Sequence, residues 1–162
     1  MIGIIADTHD NIDAIRRAVD FLNSQNVSLV LHAGDFIAPF TVKEFKKLNS
    51  PLVGVFGNND GERKGLGEKF SQMGTHLKDF VELEHKGKRI ALYHGTIEEF
   101  VSALVKSGDY NIVIRGHTHS PKIKKENGTL VINPGEVCGY LTGKNTLSIL
   151  DIEKMKAVIH EI

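Results

Sequence analysis

Acidic, amide and imidazole side chains recur in five short stretches that are spread over much of the chain. The candidate ligands in these stretches are Asp7, His9, Asp35, Asn58, His94, His117 and His119. In extended geometry the side chains of Asp7 and His9 point the same way, and His117 and His119 repeat this spacing. A carboxylate with an imidazole, or two imidazoles, makes an ordinary half of a metal site. The residue types therefore predict binding of divalent first-row metals.

Each candidate also has an ordinary structural explanation when it is considered alone. A single histidine is more often a satisfied core or surface side chain than a ligand. Asp35, which follows Gly34, is more often a turn residue, and Asn58 in the run Gly-Asn-Asn-Asp has the same explanation. A metal site is therefore predicted only by the whole set, provided that the fold brings its members together.

Runs of branched apolar residues precede the five stretches, with no more than two residues between each run and its stretch. The runs are Ile2–Ala6, Leu29–Leu31, Leu52–Phe56, Ile90–Leu92 and Ile112–Ile114. Such runs are typical of buried parallel strands. Because the ligand crevice of an open α/β sheet lies beyond the carboxyl ends of its strands, we expect the candidate ligands to meet at one sheet edge.

Helical periodicity and capping residues predict the first connections between these strands. Asp10 and Asn11 offer N-cap chemistry for an amphipathic helix over residues 12–24. A short helix is expected after Pro39, and a weaker apolar pattern favours another around residues 66–73.

A further helix is expected in the second half of the chain. Thr96 lies three residues before Glu99, a capping-box spacing that predicts the start of a helix ending near Gly108. Its apolar residues are Ile97, Phe100, Val101, Leu104 and Val105, and the last four are expected to lie in the core.

Three antiparallel pairs of strands complete the predicted elements, and one of them has a strong hairpin turn at Asn127-Gly128. The expected pairs are Phe80–Glu84 with Arg89–Tyr93, Lys122–Lys125 with Thr129–Asn133, and Asn145–Ile152 with Lys156–Glu161. The order of elements predicts a two-sheet α/β sandwich with helices on its outer faces.

Composition limits the classes of partner. Lys plus Arg and Asp plus Glu number 20 each in 162 residues, and this balance argues against the basic surface that coats nucleic acid. Cys138 is the only cysteine, so no internal disulfide forms, and a small buried thiol is expected. No apolar run approaches the ~20 residues of a membrane span, and no signal peptide is expected before Ile2. The cytoplasm is therefore the expected compartment.

Taken together and in order, the five stretches resemble the calcineurin-like metallophosphoesterase superfamily. Its pattern is Asp-x-His, Gly-Asp, Gly-Asn-His with Asp or Glu, His, and Gly-His-x-His, and the match covers residues 7–119. The small size and the run Ile-Asn-Pro-Gly at 132–135 resemble its compact bacterial and archaeal phosphodiesterase branch. The resemblance implies one domain over residues 1–162, folded as a four-layer αββα sandwich of two mixed β-sheets flanked by helices.

The resemblance also implies a dinuclear metal centre. Carried over by position, the ligands are Asp7, His9 and His119 for the first metal, Asn58, His94 and His117 for the second, and Asp35 as the bridge. Two dications ~3.5–4 Å apart need a shared anion between them, and coordination lowers the pKa of water to ~7, which supplies hydroxide. Two divalent transition-metal ions per chain are expected. Manganese is the first choice, and iron, nickel, cobalt and zinc are alternatives, because mixed nitrogen and oxygen sites accept several metals.

One position departs from the superfamily pattern. Asn59 stands where the superfamily usually has a histidine that reaches the leaving group, and an amide donates no titratable proton. Asp60 either caps the next turn or orients a ligand. Arg115 either contacts a substrate phosphate or is a solvated or ion-paired side chain.

The function implied is a metal-dependent phosphodiesterase that hydrolyses small phosphodiesters by attack of a metal-bridging hydroxide. Asp35, Asn58 and Asn59 are its expected catalytic residues. A phosphomonoesterase or pyrophosphatase is the nearest alternative, and a non-catalytic scaffold related to the smallest retromer subunit is an alternative of another class. Zero net charge disfavours a nuclease. A small-molecule phosphoester is the expected partner, no membrane is involved, and a homodimer is left open.

Overall fold

The chain folds into ten strands and four α-helices, which the computed structural model describes over residues 1–162. The strands are β1 (Ile2–Ile5), β2 (Leu29–His32), β3 (Leu52–Gly54), β4 (Phe80–His85), β5 (Lys88–Tyr93), β6 (Ile112–Ile114), β7 (Lys122–Glu126), β8 (Thr129–Asn133), β9 (Thr146–Asp151) and β10 (Lys156–Glu161). The helices are α1 (Ile12–Ser24), α2 (Val42–Phe45), α3 (Arg63–Ser71) and α4 (Glu98–Ser107), and a 3₁₀ turn over Pro39–Thr41 precedes α2.

The predicted parallel strands are divided between two separate sheets. The first sheet has the order β10-β9-β1-β2-β3, with β1, β2 and β3 parallel to one another. The second has the order β4-β5-β6-β8-β7, with β5, β6 and β8 parallel and antiparallel strands at both edges. Both sheets are therefore mixed, as predicted.

Alternating side chains along the central strands divide the interior into three apolar clusters. In β1, Ile4 points into the cluster that also contains Ile114 of the other sheet, whereas Ile5 points into the cluster that contains Ile15 of α1. A third, smaller cluster includes Val101 of α4 and Val113 of β6. Three clusters separate four layers, and the predicted αββα sandwich is confirmed.

Helix α1 has the predicted bounds because its start is capped. The Asn11 side-chain oxygen accepts a hydrogen bond from the Ala14 backbone N–H at 3.2 Å. The hairpin turn between β7 and β8 is also confirmed, since Asn127 and Gly128 have φ angles of 50° and 85°, as a two-residue turn of this kind requires. None of the helices is long and apolar enough to cross a membrane.

The start of α4 differs from the prediction. Its N-cap is Ile97, with no side-chain capping bond, so the capping box that begins at Thr96 is wrong. The Ile97 backbone N–H instead donates to the Tyr93 hydroxyl. Phe100, expected in the core, is 41% exposed, because the helix turns only Val101, Leu104 and Val105 toward the sheet. Helix α3 also begins earlier than expected, at Arg63.

Candidate metal centre

The carboxyl ends of β1 and β2 bring the first two candidate stretches into backbone contact. The Asp7 N–H donates to the Gly34 carbonyl at 3.0 Å, and the His9 N–H donates to the Asp35 carbonyl at 3.1 Å. The His117 N–H then donates to Asp7 Oδ2 at 3.1 Å, which ties the fifth stretch to the first. The stretches therefore meet, but the expectation of a single sheet edge is wrong, because β1, β2 and β3 belong to one sheet whereas β5 and β6, which precede His94 and His117, belong to the other.

Tight turns bring the pairs Asp7/His9 and His117/His119 to the site, and the extended geometry expected for these pairs is wrong. Asp7, His9, His117 and His119 have φ angles of 52°, 40°, 70° and 57°, and Asp35 has 62°. Positive φ values are uncommon for residues other than glycine and cost free energy unless the surrounding structure enforces them. Five such residues at one site indicate that the backbone conformation directs these side chains toward one another.

Two glycines let the carboxylates pack against backbone. A Cβ at Gly57 would lie 2.1 Å from Asp35 Oδ1, and a Cβ at Gly116 would lie 2.7 Å from Asp7 Oδ2. Both distances are too short for a carbon–oxygen contact, so only glycine fits at either position. The glycines that accompany the ligands in sequence are thus part of the site.

The first group of candidate ligands surrounds one carboxylate oxygen. Asp7 Oδ1 lies 3.5 Å from His119 Nε2 and 3.8 Å from His9 Nε2. Asp7 Oδ1 and His9 Nε2 are both buried without a hydrogen-bond partner. Unsatisfied buried polar atoms are rare in folded proteins, and a cation between these atoms would satisfy them.

Asp35 lies between the two groups of candidate ligands. Its Oδ2 is 3.4 Å from His9 Nε2 on one side and 3.4 Å from His94 Nε2 on the other. The side chain is 1% exposed. A single buried carboxylate oxygen therefore faces one imidazole from each group, which is the placement that a bridging ligand requires.

The second group is organised by His94. Its Nδ1 lies 2.7 Å from the Ala33 carbonyl and therefore carries the proton, which leaves Nε2 for a metal. Nε2 lies 2.9 Å from Asn58 Oδ1, so two groups with lone pairs face each other where a cation would fit. The His117 ring packs edge-on against His94 with 5.2 Å between ring centroids. The structure thus brings all seven candidates to one place.

The carboxylates give this site a strong preference for positive charge. The nearby carboxylates of Asp35 and Asp7 raise the pKa of His9 to about 9 against the opposing effect of burial. Burial favours the neutral Asp35 carboxyl, but the nearby imidazoles of His9 and His94, together with the hydrogen bond from the Asn59 amide, outweigh it and lower the pKa of Asp35. Burial lowers the pKa of His94, but Asp35 outweighs it and the net shift is upward. Burial, followed by the charge of His94, lowers the pKa of His117.

This donor set fits a divalent metal. Ligand atoms of Asp7, Asp35 and His94 all lie within 4.8 Å of one another, as do those of His9, His119 and Cys138. Burial, followed by Glu136, raises the pKa of the Cys138 thiol to about 12, and the thiol donates its hydrogen bond to Glu136. The carboxylates and imidazoles remain as the groups that could hold an ion.

Glu136 is the buried acid that sequence reasoning missed. Its Oε2 lies 2.7 Å from His119 Nδ1, and it also accepts a hydrogen bond from the Cys138 thiol. Burial would raise the pKa of Glu136, but these hydrogen bonds and those from Thr142 lower it to about 2. A carboxylate on Nδ1 holds the proton there and leaves Nε2 for a metal. The signal in the sequence was an acid within an otherwise uncharged segment after Pro134-Gly135.

Two other buried polar residues hold the ligand loops in place. Asp60 accepts hydrogen bonds from the backbone N–H groups of Gly57, Asp35 and Ile37, so it joins two ligand loops and is more than a turn cap. His32, to which the sequence assigned no role, accepts a hydrogen bond from the Gly34 N–H.

Arg115 forms an ion pair, which was one of the roles predicted for it. Its guanidinium contacts the Glu98 carboxylate, and Nη2 donates to the Gly95 carbonyl at 3.1 Å. The side chain is 9% exposed. Arg115 thereby braces the backbone next to His94.

Comparison with known proteins agrees with this geometry. The model of the calcineurin-like phosphoesterase superfamily domain matches residues 1–155. The phosphodiesterase MJ0936 of Methanocaldococcus jannaschii is 43% identical over 155 residues, which cover 94% of this chain and 93% of that protein.

Solved structures give the same result for the fold. The structure of an archaeal phosphodiesterase superposes with a TM-score of 0.96 at 41% identity and covers 99% of both chains. Zinc-bound Vps29 of Entamoeba histolytica superposes with a TM-score of 0.72 at 21% identity, covers 99% of this chain and 90% of that one, and shows the shared fold alone. The chain belongs to the calcineurin-like phosphoesterase superfamily.

Proposed function

We propose that the protein is a dinuclear metal-dependent phosphodiesterase that hydrolyses small phosphodiesters. The observation that carries the proposal is the position of Asp35 Oδ2, 3.4 Å from His9 Nε2 and 3.4 Å from His94 Nε2. The 43% identity to a phosphodiesterase supports the same substrate class.

The proposed ligands keep the roles implied by the sequence. The first ion would bind Asp7, His9 and His119, the second would bind Asn58, His94 and His117, and Asp35 would bind both. Bound dications would supply an activated water near neutral pH and stabilise charge on the phosphoryl oxygens. Manganese is the proposed metal, with iron, nickel, cobalt and zinc as alternatives for a mixed nitrogen and oxygen site.

The surrounding residues would orient these ligands and the substrate. Glu136 and the Ala33 carbonyl hold the Nδ1 protons of His119 and His94, so both rings present Nε2 to the centre. Asn58 is exposed and supplies a neutral oxygen, which adds no charge to the site. Asn59 is also exposed and donates to Asp35, so it positions the bridging carboxylate.

A hydrolysis assay with matched variants tests the proposal. The wild-type protein, loaded with each of the five metals, should hydrolyse bis(4-nitrophenyl) phosphate faster than 4-nitrophenyl phosphate or pyrophosphate. Asp35→Asn should lose this activity, because a neutral amide cannot offset two dications. The control is Asp20→Asn, which changes an exposed aspartate on α1 and should be fully active.

The alternatives predict different results. Faster hydrolysis of 4-nitrophenyl phosphate than of the diester would identify a phosphomonoesterase. Faster hydrolysis of pyrophosphate would identify a pyrophosphatase. A wild-type protein that binds metal but hydrolyses none of these compounds would favour the non-catalytic scaffold.

A further inference from the structure

The turn after Glu136 presents the two most exposed large apolar side chains of the molecule. Leu141 is 73% exposed and Tyr140 is 62% exposed. Single exposed apolar residues are common on protein surfaces, but neighbouring ones beside a polar cleft are typical of a binding surface. The groups that lie next to this turn therefore indicate which ligand it could bind.

The turn lies next to the first group of candidate ligands. The Cys138 N–H donates to the Asp7 carbonyl at 3.0 Å, and the Cys138 carbonyl accepts from Asn11 Nδ2 at 2.8 Å. The Cys138 sulfur lies within 4.8 Å of ligand atoms of His9 and His119. The exposed pair begins only two residues after Cys138 in the chain.

One buried carboxylate holds both the turn and a metal-ligand candidate. Glu136 accepts hydrogen bonds from the Leu141 N–H at 3.0 Å and from the Thr142 hydroxyl at 2.7 Å. The same carboxylate lies 2.7 Å from His119 Nδ1. The turn is therefore fixed relative to the His119 ring, and a fixed binding surface loses little conformational entropy when a ligand binds.

The chemistry of the turn selects an aromatic group as its ligand. Residues 137–143 carry no charged side chain, so an anionic or cationic substituent would find no counterpart there. Two side chains are also far smaller than the ~800 Å² per partner of a standard protein interface, which argues against a second protein as the occupant. A tyrosine ring with an adjacent leucine offers a flat apolar face for an aromatic ring.

We propose that residues 139–142 form the specificity element of the site, in which Tyr140 and Leu141 contact an aromatic ester group of the substrate. The phosphate of that substrate would lie at the candidate metal ligands. This inference rests on the proposed function, and it adds the class of ester that the site prefers.

Binding of two simple monoesters tests the inference without measuring turnover. Phenyl phosphate and methyl phosphate share the phosphate and differ in the aromatic ring, so their dissociation constants for the metal-loaded protein can be compared by calorimetry. The wild-type protein should bind phenyl phosphate about threefold to tenfold more tightly than methyl phosphate. The double variant Tyr140→Ala/Leu141→Ala should lose this preference and bind methyl phosphate as the wild type does.

Two further variants serve as controls. Tyr140→Phe keeps the ring and should keep the preference. Val158→Ala removes another exposed apolar side chain, on strand β10, and should change neither constant. The metal content of every variant should equal that of the wild type.

The outcomes separate this inference from the proposed function. Equal binding of the two monoesters by a wild-type protein that hydrolyses the diester would overturn the inference and leave the function intact. A double variant that weakens both monoesters equally would also overturn it, as would failure of the wild type to bind phenyl phosphate. A wild-type protein that prefers phenyl phosphate but hydrolyses no diester would support the aromatic site and refute the proposed function.

Discussion

Asn59 donates two hydrogen bonds to Asp35, from its side-chain amide to Oδ2 at 2.8 Å and from its backbone N–H to Oδ1 at 2.9 Å. Both oxygens of the carboxylate are thus oriented by one residue from a different loop. The residue that replaces the usual superfamily histidine therefore acts on the central carboxylate of the site, and it can do so without carrying a charge.

The first prediction concerns the two ions that Asp35 would share. Asp35→Ala should empty both sites, because each site loses a ligand and the two dications lose the anion between them. His119→Ala should weaken mainly the first site. Metal content per chain, measured after dialysis at a fixed free-metal concentration, distinguishes the two variants. Two ions bound as tightly in Asp35→Ala as in the wild type would exclude a bridging role.

The second prediction concerns pH. In the metal-free protein the pKa of His9 is raised to about 9, so its protonated form is favoured at neutral pH. A ligating histidine must be neutral, so below this pKa a metal must displace the proton. Metal binding should therefore weaken as pH falls and release roughly one proton from His9 at neutral pH.

Calorimetry in buffers of different ionisation enthalpy measures the released protons directly. Activity of the metal-loaded protein should also decline below the ordinary imidazole range near ~6.5, as the histidines become protonated. A rate that stayed constant down to about pH 4 would be incompatible with a site built on histidines.

The third prediction concerns the glycine behind Asp35. In Gly57→Ala the new Cβ would lie 2.1 Å from Asp35 Oδ1, so the carboxylate or the loop must move. We expect ~1–3 kcal/mol of destabilisation, together with weaker metal binding. Gly67→Ala is a matched control, because its Cβ would meet only Phe56 at 3.9 Å and alanine favours the helix. Urea unfolding of both variants measures the difference, and equal stabilities would contradict steric exclusion at Gly57.

The sheets and the candidate ligands could be predicted because both depend on short patterns. Buried runs such as Ile112–Ile114 identify the parallel strands, and each ligand stretch begins at or near the end of such a run. The geometry of parallel sheets accounts for contact among ligands of the same sheet, whereas contact between the two sets depends on how the two sheets pack. The same patterns contain no information about backbone turns, so the positive φ angles of Asp7 and His117 were not predicted.

The residues that orient the ligands could not be predicted because their partners are distant in sequence. Glu136 meets His119 across 17 positions, and its role depends on how the segment after β8 folds back over the site. The error at Thr96 is one of position, since the helix begins one residue later, with Ile97 as its N-cap and the Ile97 N–H bonded to the Tyr93 hydroxyl. Sequence patterns indicate the ligands, and tertiary packing selects the groups that hold them.

The last prediction concerns the leaving group. Proton donation to a leaving group typically contributes ~10²–10⁴-fold to a rate, and the Asn59 amide cannot supply it. Asp60 is not free to replace it, because its carboxylate accepts backbone hydrogen bonds from Gly57 and Ile37. Diesters of nitrophenol, which leaves without protonation, should therefore be cleaved far faster than diesters of ordinary alcohols. Asn59→His should narrow this gap by raising the rates on alkyl esters.

A leaving-group series on three proteins makes this comparison. Asn59→Gln is the matched control, because it keeps an amide and gains no acid, so its dependence on leaving-group pKa should equal that of the wild type. Asn59→His also loses the hydrogen bond from the side-chain amide to Asp35 Oδ2, and this loss would lower the rates on all substrates together. A new acid, in contrast, raises only the rates on substrates with poor leaving groups. The slope of log kcat/KM against leaving-group pKa separates the two effects. A wild-type slope of zero would show that another donor, such as a water molecule, already protonates the leaving group. Asn59→His would then not raise the rates on alkyl esters.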